Sequence, residues 1–217
     1  MRRKGRRMRK IAAASLAIVA AYALQMRATA VPAVKQGPPN SWVCQRCHGA
    51  EGEGNTQAMI PRLAGQTPDY LEKQLRDYQS GARDNPVMQT FAKPLNDADR
   101  AQLATYFSAL KAPNHRSQAI ASDAQRARGH QLAHQGAEAI RVQACDNCHG
   151  PDGRGVEFSA PTLAGQSEAY LVSQLMAWQQ GTRKNDDAKV MALIAKLLSD
   201  SDIAALAVYF SSLGNSS

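Results

Sequence analysis

No apolar run in this 217-residue chain reaches the roughly 20 residues of a typical spanning helix; the longest, Ile11 to Leu24, has 14. Nor does any segment show the alternation of a half-buried strand, which leaves sheet-based folds unsupported. Acidic residues are absent from positions 1–30, which hold 8 of the 26 basic residues, so the remaining chain balances at 18 against 18. The sequence pI of about 9.5 therefore belongs to the N-terminus. With no long basic patch interleaved with aromatics beyond it, nucleic acid is excluded as a partner, and strong steering of a partner by net charge is not expected. Cysteine is scarce as well: four residues, none outside two five-residue motifs.

Those motifs are Cys44-Gln-Arg-Cys47-His48 and Cys145-Asp-Asn-Cys148-His149, each followed by glycine. Two thiols three positions apart can both add to the vinyl groups of one porphyrin, and the adjacent histidine then lies under the iron as an axial ligand. Zinc ribbons bring their Cys-X-X-Cys pairs within about 15–20 residues of each other. Here nearly a hundred residues separate Cys47 from Cys145. A thioredoxin-like dithiol needs a βαβ setting, and a disulfide framework gives no reason for a histidine after the second cysteine both times. The pattern thus predicts two covalently attached haem c groups.

Haem c is attached outside the bacterial cytoplasm, so an export signal is expected, and residues 1–30 have its form. Seven of the first ten residues are basic, the apolar stretch follows, and Ala28-Thr29-Ala30 offers a small-residue cleavage site. A Sec-type leader with cleavage after Ala30 is expected; an uncleaved leader would instead give membrane association. The arginine pairs belong to a generic basic run, and a protein awaiting haem should cross unfolded, so a twin-arginine route is not inferred.

The remainder is one unit written twice. Pro61-Arg-Leu63-Ala-Gly65-Gln66 returns as Pro161-Thr-Leu163-Ala-Gly165-Gln166, Tyr70, Leu71, Gln74 and Leu75 return as Tyr170, Leu171, Gln174 and Leu175, Gly81 and Arg83 as Gly181 and Arg183, and Tyr106-Phe107 as Tyr209-Phe210. Domains at 31–113 and 114–217 follow, with the boundary beside Pro113 and a connection too short to be a long tether. Domains this small bury little apolar surface unaided, so each should close around its haem and depend on it for folding. The predicted elements are all helical: one from Thr67-Pro68 to a stop at Gly81, its copy from Ser167 to Gly181, and amphipathic helices over Asp97–Leu110 and about Asp200–Leu213.

The sixth ligand decides between electron transfer and small-molecule chemistry. Met88 lies 40 residues after His48 and Met191 lies 42 after His149, both after the repeated Gly-X-Arg and before the last helix. Their matched places predict axial pairs His48/Met88 and His149/Met191. Met59 and Met176 lack counterparts and read as packing. Pro61 and Pro161 are candidates to accept a hydrogen bond from the axial histidines, and Arg83 and Arg183 to meet haem propionates. The alternatives are a plain turn and solvated charge. His130 and His134 share a helix face but have no first-copy equivalents, and His115 falls in the connection; none is expected to bind metal.

With these tandem motifs, the Pro-X-Leu-Ala-Gly-Gln segments and the late methionines before Tyr-Phe helices, the chain resembles the dihaem cytochrome c4 family. The resemblance implies two class I cytochrome c domains related by a pseudo-two-fold axis, with propionate edges facing across the interface. It further implies one-electron transfer in the periplasm, from a quinol-oxidising complex or dehydrogenase towards a terminal oxidase. Two other functional readings stay open: a dihaem subunit of a periplasmic dehydrogenase, and a dihaem peroxidase, against which the matched methionines argue. Pro38 and Pro39 depart from the family pattern and should limit the helix before Cys44 to about two turns.

Overall fold

The computed structural model describes residues 37–111, 121–156, 160–186 and 188–214. The expected leader, the boundary beside Pro113 and His115 lie outside these. All regular elements among the described residues are helical, and extended pairing is limited to three isolated bridges, such as Asn55 with Ile60. The first half has α1 (Ser41–His48), α2 (Pro68–Ser80), α3 (Pro86–Ala92) and α4 (Asp97–Ala109). In the second half, α5 (Asp123–His134) precedes α6 (Asp146–His149), α7 (Glu168–Gln179), α8 (Val190–Leu197) and α9 (Asp200–Ser212).

The boundaries follow from local chemistry. Pro68 occupies the first position of α2, where its missing N–H costs nothing, and Gly81 ends the helix at φ 81°. Both α4 and α9 begin with a capping box, Asn96 with Asp99 and Ser199 with Asp202. The short helices α3 and α8 carry Met88 and Met191. In α3, Pro86 and the Asn85 cap start the helix, with the Asn85 side chain accepting from the Met88 N–H at 3.0 Å.

Apolar stripes join the helices. In the first half, α2 meets α4 through Leu71, Leu95, Leu103, Ala104 and Phe107. In the second, α9 lies between α5 and α7 around Leu132, Leu171, Ile203, Leu206 and Phe210. Gly129 lets α5 approach α9: a Cβ there would fall 2.2 Å from the Ala205 carbonyl oxygen. Among the described residues the first half has no such crossing helix. After Pro38 and Pro39 the eight residues of α1 make about two turns, and Gly37 packs against Tyr106, where a Cβ would lie 2.7 Å from the ring.

Asp202 ties α9 to α5 by accepting from the Arg128 Nε at 2.7 Å while capping its own helix. Burial works to raise its carboxyl pKa, but hydrogen bonds from Arg128 and Ser199 outweigh this and hold it below the usual range. A depressed folded pKa gives stability present above the unfolded value and lost as pH falls through the folded one. Asp202→Ala is expected to cost about 1–2 kcal/mol at neutral pH. In urea unfolding, the gap from the parent should shrink steadily through the acidic range.

Candidate haem centres

Cys44, Cys47 and His48 lie on α1, while Cys148 and His149 lie on α6 with Cys145 at its N-cap. After each histidine the chain folds back in the same way. The Gly54 N–H donates to the His48 carbonyl and the Gly155 N–H to the His149 carbonyl, both at 2.7 Å. Leu63 and Leu163 then donate to the carbonyls of Gly52 and Gly153 at 2.8 and 2.7 Å. These turns bring the proline carbonyls to the rings: His48 Nδ1 donates to Pro61 O at 2.8 Å, and His149 Nδ1 to Pro161 O at 2.9 Å. The spacings differ by one residue, which the loops between Asn55 and Ile60 and between Val156 and Ala160 absorb.

Fixing Nδ1 as the donor leaves Nε2 as the lone-pair nitrogen, which is what an axial ligand requires. Burial lowers both imidazole pKa values, offset only in part by the proline carbonyls, and this favours the neutral ring. The thiols move the other way. Burial raises Cys44, and burial followed by the Asp146 charge pushes Cys145 up to about 12. A redox dithiol has a depressed pKa instead.

A cavity of about 1080 Å³ is lined by both cysteine pairs, both histidines, Met88 and Met191. Met59 lines it too, 55% exposed and at φ 54°, and Met176 is 37% exposed on α7. Met176, at the surface of its helix, does not serve as core packing, whereas Met59 belongs to the cavity wall.

Arg83 and Arg183 are buried at the junction of the two halves, and each reaches across it. Arg83 donates to Gln74 at 2.7 Å in its own half and to Tyr170 and Gln174 at 2.9 and 2.6 Å in the other. Arg183 mirrors this, donating to Gln174 at 2.8 Å and to Tyr70 and Gln74 at 3.1 and 3.2 Å. Each guanidinium also lies over an aromatic ring, Tyr78 or Trp178. For the Tyr70 phenol, burial opposes ionisation, but the two guanidiniums outweigh it and lower the pKa. Among the described residues neither arginine has a carboxylate partner. Two buried cations with only neutral partners at the wall of the cavity fit a group that brings its own carboxylates, as haem does.

Gln66 and Gln166, which the sequence presents only as repeated residues, close the pseudo-two-fold interface. Gln66 donates to the Thr162 carbonyl at 3.0 Å and accepts from its N–H at 2.7 Å. Gln166 does the same with Arg62, at 3.0 and 2.9 Å. Their repetition in both copies was the available signal. Reciprocal contacts of this kind are the mark of a two-fold interface. Nearby, burial lowers the Arg62 guanidinium to about 10. His134 lies outside the cavity wall, bonded to Tyr209 at 2.5 Å and Asp146 at 2.7 Å with the His130 ring 4.4 Å away. No metal-binding cluster of His, Cys, Asp and Glu occurs among the described residues.

Helices closed around two Cys-X-X-Cys-His motifs, each histidine braced from behind, define a dihaem c-type cytochrome. The profile of the cytochrome c family matches residues 42–111 and again 127–214. A thiosulfate dehydrogenase electron acceptor of Stutzerimonas stutzeri is 44% identical over 204 residues, covering 92% of this chain and 94% of that protein. The crystal structure of reduced cytochrome c4 from Pseudomonas stutzeri superposes with a TM-score of 0.72 at 35% identity, covering 79% of this chain and 93% of that one. A thiosulfate dehydrogenase structure from Marichromatium purpuratum also gives a TM-score of 0.72 at 36% identity, over 78% of this chain but 36% of that longer chain. The chain belongs to the cytochrome c family, as a tandem, dihaem member of the cytochrome c4 type. It is an electron-transfer protein; its two covalently bound haem c groups supply one-electron redox chemistry. No described helix is long and apolar enough to cross a membrane.

Proposed function

We propose that this chain is a periplasmic carrier that accepts electrons from a thiosulfate-oxidising dehydrogenase and passes them towards a terminal oxidase. In this reading residues 1–30 are a cleaved Sec leader and domains 31–113 and 114–217 carry one haem each. His48 and Met88 close one iron and His149 and Met191 the other, while Arg83 and Arg183 hold the propionates. The observation that carries the electron-transfer reading is the matched placement of Met88 and Met191 on the wall shared with the haem-attachment motifs. With both irons closed, no site remains for a substrate on the metal. The thiosulfate donor rests on the likeness to the Stutzerimonas acceptor over nearly the full length of both chains.

Mixing the oxidised holoprotein with a purified thiosulfate dehydrogenase and thiosulfate should reduce both haems, seen in the visible absorption bands. Omitting either component should abolish this. Absence of reduction by the complete mixture would remove the proposed donor. The likeness to part of a longer dehydrogenase chain favours a permanent subunit as second reading; stable co-purification with the dehydrogenase, with no turnover as a free protein, would select it.

A further inference from the structure

The two halves hold their methionine segments differently. In the first, Asn85 lies three residues before Met88, is exposed, and caps α3 itself. The matched Asn185 lies six residues before Met191, is buried, and faces the other half. Its Nδ2 donates to Asp77 Oδ2 at 2.6 Å and Gln74 Oε1 at 2.9 Å, and its Oδ1 accepts from Arg183 Nε at 3.0 Å. Lys73 Nζ closes the group, donating to Asp77 at 2.6 Å and to the Asn185 carbonyl at 3.1 Å. The capping task passes to the next residue: Asp186 Oδ2 accepts from the N–H groups of Met191 and Ala192 at 2.6 and 3.2 Å.

We propose that Lys73, Asp77 and Asn185 form a latch by which the first domain positions the Met191 segment of the second, with no equivalent acting on Met88. The positions matching Lys73 and Asp77 are Ser173 and Ala177, so the second domain cannot return the contact. The asymmetry has a physical reason. Pro86 fixes the backbone at the start of α3, whereas α8 starts four residues later relative to the matched asparagine and from Lys189 at φ 56°, without a proline. Anchoring Asn185, which is buried and bonded through both side-chain polar atoms, fixes the residue directly before the Asp186 cap. These are positioning residues, and the inference rests on Met191 being an axial ligand.

The test is an imidazole titration of the oxidised holoprotein, read by the methionine–iron charge-transfer band and by the axial methionine methyl resonances of each haem. Met191→Ala identifies the signals of its own haem; if it leaves both methionine signals intact, the ligand reading and the latch fall together. With that assignment made, Asp77→Ala and the near-isosteric Asp77→Asn should each raise imidazole affinity at the Met191 haem by roughly tenfold, the scale of one charge-assisted hydrogen bond. The Met88 haem in the same molecule should remain within about twofold of the parent, since its segment lacks these contacts. Equal shifts at both haems, or none at either, would overturn the latch while leaving Met191 as a ligand.

Discussion

Made without haem attachment, the chain should lose most of its helical ellipticity and its cooperative thermal transition. The helices line a cavity of about 1080 Å³, and without haem its apolar walls face water instead of the porphyrin, so each half loses the burial that closes it. The halves should not suffer equally. Five buried residues make the core of the first and nine that of the second, where α5 crosses α9 at Gly129. Cys44→Ala with Cys47→Ala should therefore expose the first half to protease, while Cys145→Ala with Cys148→Ala should leave residual helix in the second. Far-ultraviolet dichroism and limited proteolysis measure both, and a haem-free chain that melted cooperatively with native ellipticity would show the protein core to be self-sufficient.

Replacing Arg83 or Arg183 by alanine should lower at least one midpoint potential and steepen its dependence on pH. A nearby cation disfavours the more positive, oxidised centre, so its removal favours oxidation. Two unit charges about 10 Å apart at an effective dielectric of about 20 interact by about 1.7 kcal/mol, equivalent to about 70 mV for one electron. Loss of a guanidinium would also raise propionate pKa values, moving protonation into the titrated range. Since each arginine bridges to Gln74 and Gln174 together, either substitution should affect both haems, and the double variant should fall short of additivity. Potentiometric titration over a range of pH decides it: unchanged potentials and unchanged pH dependence in both variants would remove the propionate assignment.

Local signals were legible in the sequence because they are short-range. Pro68 and Gly81 bound α2 as their backbone preferences require, and Pro38 and Pro39 confine α1 to about two turns. The attachment motifs and their histidines could be named from spacing alone. Contacts across the interface were harder to read. Gln66 and Gln166 look like ordinary loop amides until the second copy is placed against the first. Asn185 and Asn85 are the same residue at matched places, and only three additional residues before Met191 hint that they do different work. Met176 shows the opposite error: asymmetry suggested packing, but it is exposed on the surface of α7. Repetition exposes what the copies share, whereas the differences between them acquire meaning only from the partner surface.

In the proposed function both irons are closed by a histidine and a methionine, so that the protein carries electrons and binds no substrate at iron. The most direct test is a visible and near-infrared spectrum of the purified protein with haem quantitation. Two low-spin haems per chain, both with methionine–iron charge-transfer intensity and neither binding carbon monoxide when reduced, is the predicted result. A high-spin or carbon-monoxide-binding iron in the untreated protein would contradict it and point to an enzyme.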